Sequence, residues 1–496
     1  MTSEHFDVLV VGAGLSGVGA GYWLQNLCPN KSYAIIEARE RKGGTWDLFR
    51  YPGIRSDSDM FTLGYSFKPW TDPKAIADGP SILRYIEETA RENGIDEKIR
   101  YSQRMISADW SSANARWTVA IETPNGRASC TCGFLYMCSG YYRYDHGYLP
   151  AFAGMGDFGG QIVHPQAWPE NLDYAGKRII VIGSGATAMT LVPEMAKSAA
   201  HVTMVQRSPT YVVARPSKDA VADWLRAKLP ARTAYALSRW KNVLFGMYFY
   251  NLCKRKPEKV KAYLLKLVRE QLPAGYDVGR DFAPRYNPWD QRLCLITDGD
   301  LFEAIRENRA SIATGAIERF TEKGLRLADG REIEADIIVT ATGLELQMLG
   351  GARLSVDGKP VEPGKTLNYK GMMFSDVPNM AATFGYTNAS WTLKADLIGQ
   401  YVCRILNLMD AKGQRIVIAH NDDPDMPVES FVDFSSGYFQ RVIDQLPKQG
   451  ARKPWKLYQN YAKDLLALRY GQVEDGVLRF SNPPAGSSAK KEMEAA

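Results

Sequence analysis

Residues 6–17 read FDVLVV followed by Gly12-Ala13-Gly14-Leu15-Ser16-Gly17, and no other feature limits the fold of this chain as much. A run of strand length enters the hexapeptide and a helical pattern through Leu27 leaves it. A second strand, residues 33–37 (YAIIE), then ends in an acid. Strand, G-x-G-x-x-G, helix, strand and acid, in that order, make a dinucleotide-binding unit. Gly12 permits the tight turn, Gly14 lets backbone approach a pyrophosphate, and Gly17 lets the helix pack closely on the strand. The helix amino terminus offers free N–H groups and partial positive charge to phosphates. Glu37 is placed to accept hydrogen bonds from a ribose diol. A glycine-rich hexapeptide alone is a common packing turn; its neighbours in order carry the ligand reading.

The pattern recurs. Arg178–Ile182 (RIIVI) is a strand, Gly183-Ser184-Gly185-Ala186-Thr187-Ala188 gives G-x-G-x-x-A, and a helix follows to about Lys197. The next strand, residues 201–205, ends Gln206-Arg207-Ser208, with an arginine where the first unit has an acid. A ribose 2′-hydroxyl calls for a carboxylate, whereas a 2′-phosphate calls for a guanidinium fork. The second unit therefore points to NADPH and the first to FAD; the competing reading of Arg207 is a solvated strand-end charge. A flavin fed by a nicotinamide coenzyme suggests a disulfide reductase, a hydroxylating monooxygenase or an oxidase. Dithiol chemistry needs two cysteines early in the chain, and Cys28 stands alone there. A later strand, residues 335–340, enters Ala341-Thr342-Gly343, a small-residue turn that serves packing as readily as cofactor contact.

Composition narrows the class. With 45% hydrophobic and 23% charged residues over 496 positions, the chain reads as globular, with room for two to four compact units. An excess of six positive charges is too mild to argue for nucleic acid. Seven cysteines and five scattered histidines give no metal-ligand spacing, and the chain reads as reduced and cytoplasmic. No apolar stretch reaches the roughly 18–20 residues of a membrane span.

Residues 158–169, FGGQIVHPQAWP, carry the spacing F-x-G-x-x-x-H-x-x-x-W-P, and residues 43–57 carry Gly43-Gly44-Thr45-Trp46, Tyr51-Pro52-Gly53 and Asp57. Together these resemble the Baeyer–Villiger monooxygenases, a class of FAD- and NADPH-dependent enzymes. The run RYPGIRSDSDM, with FGYTNASWTLKADL from Phe384, looks like the subgroup that holds the mycobacterial ethionamide-activating monooxygenase. The resemblance spans most of the chain. It implies an α/β fold of two doubly wound, Rossmann-like dinucleotide-binding units with a helical insert. It also implies an FAD site lined by Gly12, Gly14, Ser16, Gly17, Glu37, Thr45, Trp46 and Asp57, with Gly44, Asp47, Arg55, Ser56 and Met105 as further cofactor-binding residues. Gly183, Ser184, Gly185, Ala186, Thr187, Ala188 and Met189, with Arg207 and Ser208, would hold NADPH. Arg292 matches the family's active-site arginine, and Asp57 would pair with it. Gln291 stands where the family often has lysine, which leaves 2′-phosphate binding resting more heavily on Arg207.

The implied chemistry is insertion of one oxygen atom from O2 into a ketone, through a C4a-peroxyflavin, giving an ester or lactone; the same species oxidises sulfides. An arginine suits it, because a fixed cation stabilises charge developing on oxygen and stays protonated at any working pH. Two alternatives remain: an N- or S-hydroxylating flavin monooxygenase without ketone oxygenation, and a non-enzymatic flavin-binding sensor. His164 invites a general-base role, but the family places its fingerprint between the two units, where His164 and Trp168 would anchor domain movement.

The expected organisation is an FAD unit from residues 1–145 and 370–496, an NADPH unit from 146–212 and 286–369, and a helical insert at 213–285. Within the insert, residues 243–250 (VLFGMYFY) precede Lys254-Arg255-Lys256. Three readings compete: loose attachment to an anionic membrane surface, a buried helix with a solvated basic end, and the roof of an apolar substrate channel.

Overall fold

A computed structural model describes residues 4–484 apart from Arg292, Asp433 and Phe434. Two sheets organise it, each with an inner strand that runs into one of the two glycine motifs. The larger has nine strands, in the order Lys359–Pro360, Arg353–Val356, Arg104–Ser111, Arg116–Thr123, Gly126–Met137, Glu4–Val11, Tyr33–Ile36 and Ile99–Arg100. The ninth, Met380–Ala382, pairs with residues 135–137, the far end of the long strand Gly126–Met137. The apolar run that enters the first glycine turn is central. Val8, Val10 and Val11 stand beside Tyr33, Ile35 and Ile36 on one side, and beside Phe134, Tyr136 and Met137 on the other, both in parallel register. A strand buried on both faces explains why it is continuously apolar rather than alternating.

Two helices cover one face of this sheet. Leu15–Leu27 packs against Trp391–Lys412, where a Cβ on Gly399 would come within 2.7 Å of the Trp23 ring. The second helix is buried along most of its length, and it brings Asp396 to accept from Trp23 Nε1 (3.3 Å) and the Ser66 N–H (2.7 Å).

The second sheet is wholly parallel: Ala310–Thr314, His201–Gln206, Arg178–Ile182, Ile337–Thr340, Gln161–Val163. The helix Ala186–Met195 leaves its central strand and sits in a separate core with Ile179, Val181, Met204 and Phe302. The architecture is thus mixed α/β with two Rossmann-like units, the second sheet parallel throughout and the first mixed, since Arg104–Ser111, Arg116–Thr123 and Gly126–Met137 pair antiparallel. The stretch 286–369, expected in the second unit, contributes Arg353–Val356 to the first sheet, beside residues 107–110, with Leu354 buried in that sheet's core.

The segment after the second unit's Arg207 is helical, as its pattern suggested. Strand Val212–Arg215 pairs in parallel with Cys294–Thr297, and the helices Ala220–Lys228, Ala231–Arg255, Pro257–Gln271 and Val278–Phe282 lie between them. Arg239, buried on the long helix, donates from Nη1 to the carbonyls of Phe61 (2.8 Å), Thr62 (3.3 Å) and Gly64 (2.8 Å), and its Nη2 lies 3.6 Å from Asp396. One guanidinium therefore joins the insert to the first unit.

Candidate active site

A cavity of about 440 Å³ opens at the carboxyl end of the first unit's central strands, where ligands of open α/β sheets bind. Gly12, with φ at +104°, makes the turn out of the strand; a Cβ there would meet the Cys138 carbonyl oxygen at 2.7 Å. The helix Leu15–Leu27 then starts with Gly14 as its cap, with no side-chain cap and no acid in its first turn, so its first amides remain available to an anion. Glu37 closes the opposite wall. Its Oε2 accepts the Ala13 N–H (2.7 Å) and its Oε1 the Arg39 N–H (2.9 Å). Burial raises the carboxyl's pKa, and those two amides act against that shift. The cradle fits FAD: helix amides for the pyrophosphate, a buried carboxylate for a ribose, and close backbone between them.

Gly12, Gly14, Ser16, Glu37, Gly44, Thr45, Trp46, Ser56, Asp57 and Met105, all expected to bind cofactor, line this one cavity. Gly17 stands behind it, where a Cβ would fall 1.8 Å from the Gly12 carbonyl oxygen. Asp47 and Arg55 are not among the residues lining this cavity. Buried Asp47 binds Arg39 Nη2 (2.8 Å) and Arg50 Nη2 (2.9 Å), while Arg55 Nη1 reaches Asp300 Oδ2 at 2.6 Å on the second unit. Arg292 lies outside the described residues.

Sequence reasoning missed the cavity's aromatic end. Tyr141, Phe384, Trp391 and Phe439 form one cluster, with Tyr141 ring centroids 5.1 Å from both Phe384 and Trp391. Trp391 Nε1 donates to Ser16 Oγ at 2.7 Å, fixing the cluster to the glycine turn. Lys394, buried on the same helix, binds Asp464 (2.8 Å), which also accepts from the cavity-lining Tyr386 hydroxyl (2.7 Å). The quoted run from Phe384 held Phe384, Tyr386, Trp391 and Lys394, so a signal existed, but nothing local said where they would fold.

The second motif repeats the first. Gly183 has φ +130°, with a notional Cβ 2.3 Å from the Ala341 carbonyl oxygen, so the turn at Ala341 is a packing surface for the glycine loop. Gly185 caps Ala186–Met195 without side-chain help, and open space faces it. Ser184 Oγ donates to the Ser208 carbonyl (3.2 Å), holding the loop to the end of the neighbouring strand, where Arg207 and Ser208 are exposed. Ala188 and Met189 are buried beneath the loop, and Thr187 bonds the Tyr51 hydroxyl. A bare helix terminus beside an exposed arginine, with no acid at the strand end, fits NADPH.

Residues 158–169 join the two units. Phe158 is buried in the second sheet's apolar layer, and Gln161–Val163 is that sheet's edge strand. His164 then caps the turn Pro165–Ala167, its Nδ1 accepting the Gln166 N–H at 3.2 Å. Gln166 Nε2 donates to the carbonyls of Arg143 (2.9 Å) and Tyr144 (3.0 Å), and Tyr144 lines the first cavity. Burial pushes the Tyr144 phenol up to about 12, with a bond to Thr45 acting the other way, so it remains a neutral hydroxyl. Burial also lowers the pKa of His164. A second tie runs through residues 49–55: Phe49 and Tyr51 pack in the second unit's core, and Gly53 abuts Glu194.

Comparison with known proteins agrees with this geometry. Residues 67–240 match the model of the flavin-binding monooxygenase-like family, and residues 10–71 that of an NAD(P)-binding Rossmann-like domain. The chain is 56% identical over 484 residues to the FAD-containing monooxygenase EthA of Mycobacterium tuberculosis, covering 97% of this chain and 99% of that one. An oxidized steroid monooxygenase bound to NADP shares the fold, with a TM-score of 0.76 at 21% identity over 96% of this chain and 100% of the other. The open structure of cyclohexanone monooxygenase does so too, at 0.70 and 20% identity over 85% and 91%. Two glycine cradles, joined through a shared turn and matched along nearly the whole chain by such a relative, place this protein in the flavin-binding monooxygenase family.

Proposed function

We propose that the chain is an FAD-containing, NADPH-dependent monooxygenase of the Baeyer–Villiger type, inserting one oxygen atom of O2 into ketones and also oxidising sulfides. The observation that carries this reading is the joint at 158–169, whose Gln166 reaches from the second unit's edge strand to Tyr144 in the first cavity. The nicotinamide coenzyme would sit in one unit and the flavin in the other, and this joint links the two. Bound FAD, once reduced, supplies the oxygen-activating chemistry. The chain's residues would hold it: the Leu15–Leu27 amides would meet the phosphates and Glu37 a ribose, while Asp57 and the aromatic cluster line the rest of the cavity. An aromatic wall suits an apolar ketone and keeps water from the reacting oxygen atoms. Arg292 is assigned to stabilise the negative charge that develops on oxygen, with Asp57 holding its position.

The test is NADPH oxidation over a panel of ketones and sulfides, with products weighed by mass spectrometry. Esters or lactones one oxygen heavier than the ketone are expected. Oxidation confined to nitrogen or sulfur would move the protein to the hydroxylating class, and bound FAD without NADPH turnover would make it a sensor. Arg292→Ala should keep its FAD and still be reduced by NADPH, while ester formation falls about 10²–10³-fold and hydrogen peroxide appears instead.

A further inference from the structure

The helix Ala231–Arg255 buries one face and leaves the other uncovered. Ala234, Tyr235, Ser238, Arg239 and Val243 are buried, the helix packing there over Met60–Leu63. Leu237, Trp240, Leu244 and Tyr248 follow at spacings of three and four, which puts them in one stripe, and all are exposed, Tyr248 by 65%. The preceding helix Ala220–Lys228 packs against it and exposes Val221 and, by 61%, Trp224. Of the 13 large apolar side chains exposed among the described residues, eight lie in residues 213–285. So dense an apolar surface in one segment marks an interaction site.

Charge says what covers it. Residues 213–285 contain 16 Lys and Arg against six Asp and Glu, whereas the rest of the chain has 45 against 49. The chain's whole positive excess therefore sits in the insert. Lys228, Arg232, Arg255, Lys256 and Lys259 are exposed around the stripe, and among the described residues no carboxylate pairs with them. A second copy of the same face would set these cations against their own kind, which opposes a symmetric contact. Apolar side chains ringed by unpaired cations suit the boundary of an anionic bilayer, with the rings among the acyl chains and the cations at the headgroups.

We propose that the exposed face of Ala231–Arg255, with Val221 and Trp224, seats the protein on an anionic lipid bilayer. No helix among the described residues is long and apolar enough to cross a membrane, so the contact is one of surface seating. Beneath the helix, Leu63 lines the cavity, so about one helix diameter, ~10 Å, separates the seated face from the cavity wall. An apolar molecule dissolved in the bilayer would thus lie beside the site rather than across water from it. The seating itself does not depend on which reaction the site performs.

Sedimentation of the full-length holoenzyme with vesicles tests this. Vesicles of equal parts phosphatidylglycerol and phosphatidylcholine should bind at least about tenfold more tightly than phosphatidylcholine alone, and less so in high salt. Leu244→Asp with Tyr248→Asp, and separately Arg255→Glu with Lys256→Glu and Lys259→Glu, should each weaken binding at least about tenfold. Flavin content and NADPH oxidation on a water-soluble substrate should match the parent protein. Brominated phosphatidylglycerol should quench the protein's tryptophan fluorescence, and Trp224→Phe with Trp240→Phe should remove most of that quenching, a readout independent of the charged variants. Equal binding to both vesicle types, unchanged binding in either charged variant, or absence of quenching would overturn the proposal. So would a change in oligomer mass, without vesicle binding, in Leu244→Asp with Tyr248→Asp, which would make the face a protein interface.

Discussion

Gly14 and Gly44 meet backbone to backbone across the mouth of the first cradle, a Cβ on Gly14 coming 3.4 Å from the Gly44 Cα. The native pair tolerates a methyl more readily than it tolerates a branched side chain pointing at the phosphate path. Gly14→Val should therefore fold but purify without flavin, as read by visible absorbance per mole of protein; a fully loaded variant would reduce the motif to a packing turn. Arg207 is the corresponding test for the second cradle. A charge-assisted hydrogen bond is worth roughly 1.5–3 kcal/mol, so Arg207→Ala should raise the KM for NADPH about 10- to 100-fold and leave NADH nearly unchanged. Equal effects on both coenzymes would mean that its guanidinium does not meet the 2′-phosphate. Glu37, Gly12 and Gly183 were legible because each belongs to a local strand–turn–helix sequence that encodes its own geometry. Asp47 and Arg55 adjoin cavity residues in sequence, and ion pairs turn their side chains toward Arg39, Arg50 and Asp300.

Both central strands and their helices could be read from the sequence, since a continuous apolar run ending in a glycine turn has few other solutions. The edges could not. Arg353–Val356 and Met380–Ala382 are three or four residues long and join the first sheet only because Arg104–Ser111 and Gly126–Met137 offer open edges. The turn Pro165–Ala167 gives a pH test at this scale. His164 Nδ1 accepts a hydrogen bond there, and burial lowers the ring's pKa below the value of about 6.5 that it regains on unfolding. Between those two values the unfolded chain binds the proton and the folded chain does not, so stability is complete above about pH 6.5 and declines as the pH falls through that window. Urea midpoints should therefore drop more steeply from about pH 7.5 to about pH 5 in the parent protein than in His164→Asn. Parallel profiles would place the titration elsewhere.

For the molecule as a whole, Arg239 binds the helical insert to the first unit. Replacing it with methionine would leave Asp396 buried without its cation and three carbonyls without their donor, at a cost of about 3–5 kcal/mol in chemical denaturation. Adding Asp396→Leu should restore part of that loss; partial recovery is expected because Ser66 and Trp23 would lose their acceptor. The order of strands along the chain has a further consequence. The second sheet is built from residues 161–340, whereas the first takes strands from residue 4 through residue 382 and its cavity takes walls as late as Phe439. As the polypeptide emerges from the ribosome, the coenzyme-binding half is fully exposed while its neighbour still lacks an edge strand and an aromatic wall. Domains fold as units during synthesis, so the inner half matures first and the half that encloses it waits until Phe439 has been made. Capture of the yellow cofactor then follows completion of the second sheet, and cells short of flavin would accumulate chains that already hold a finished nicotinamide fold.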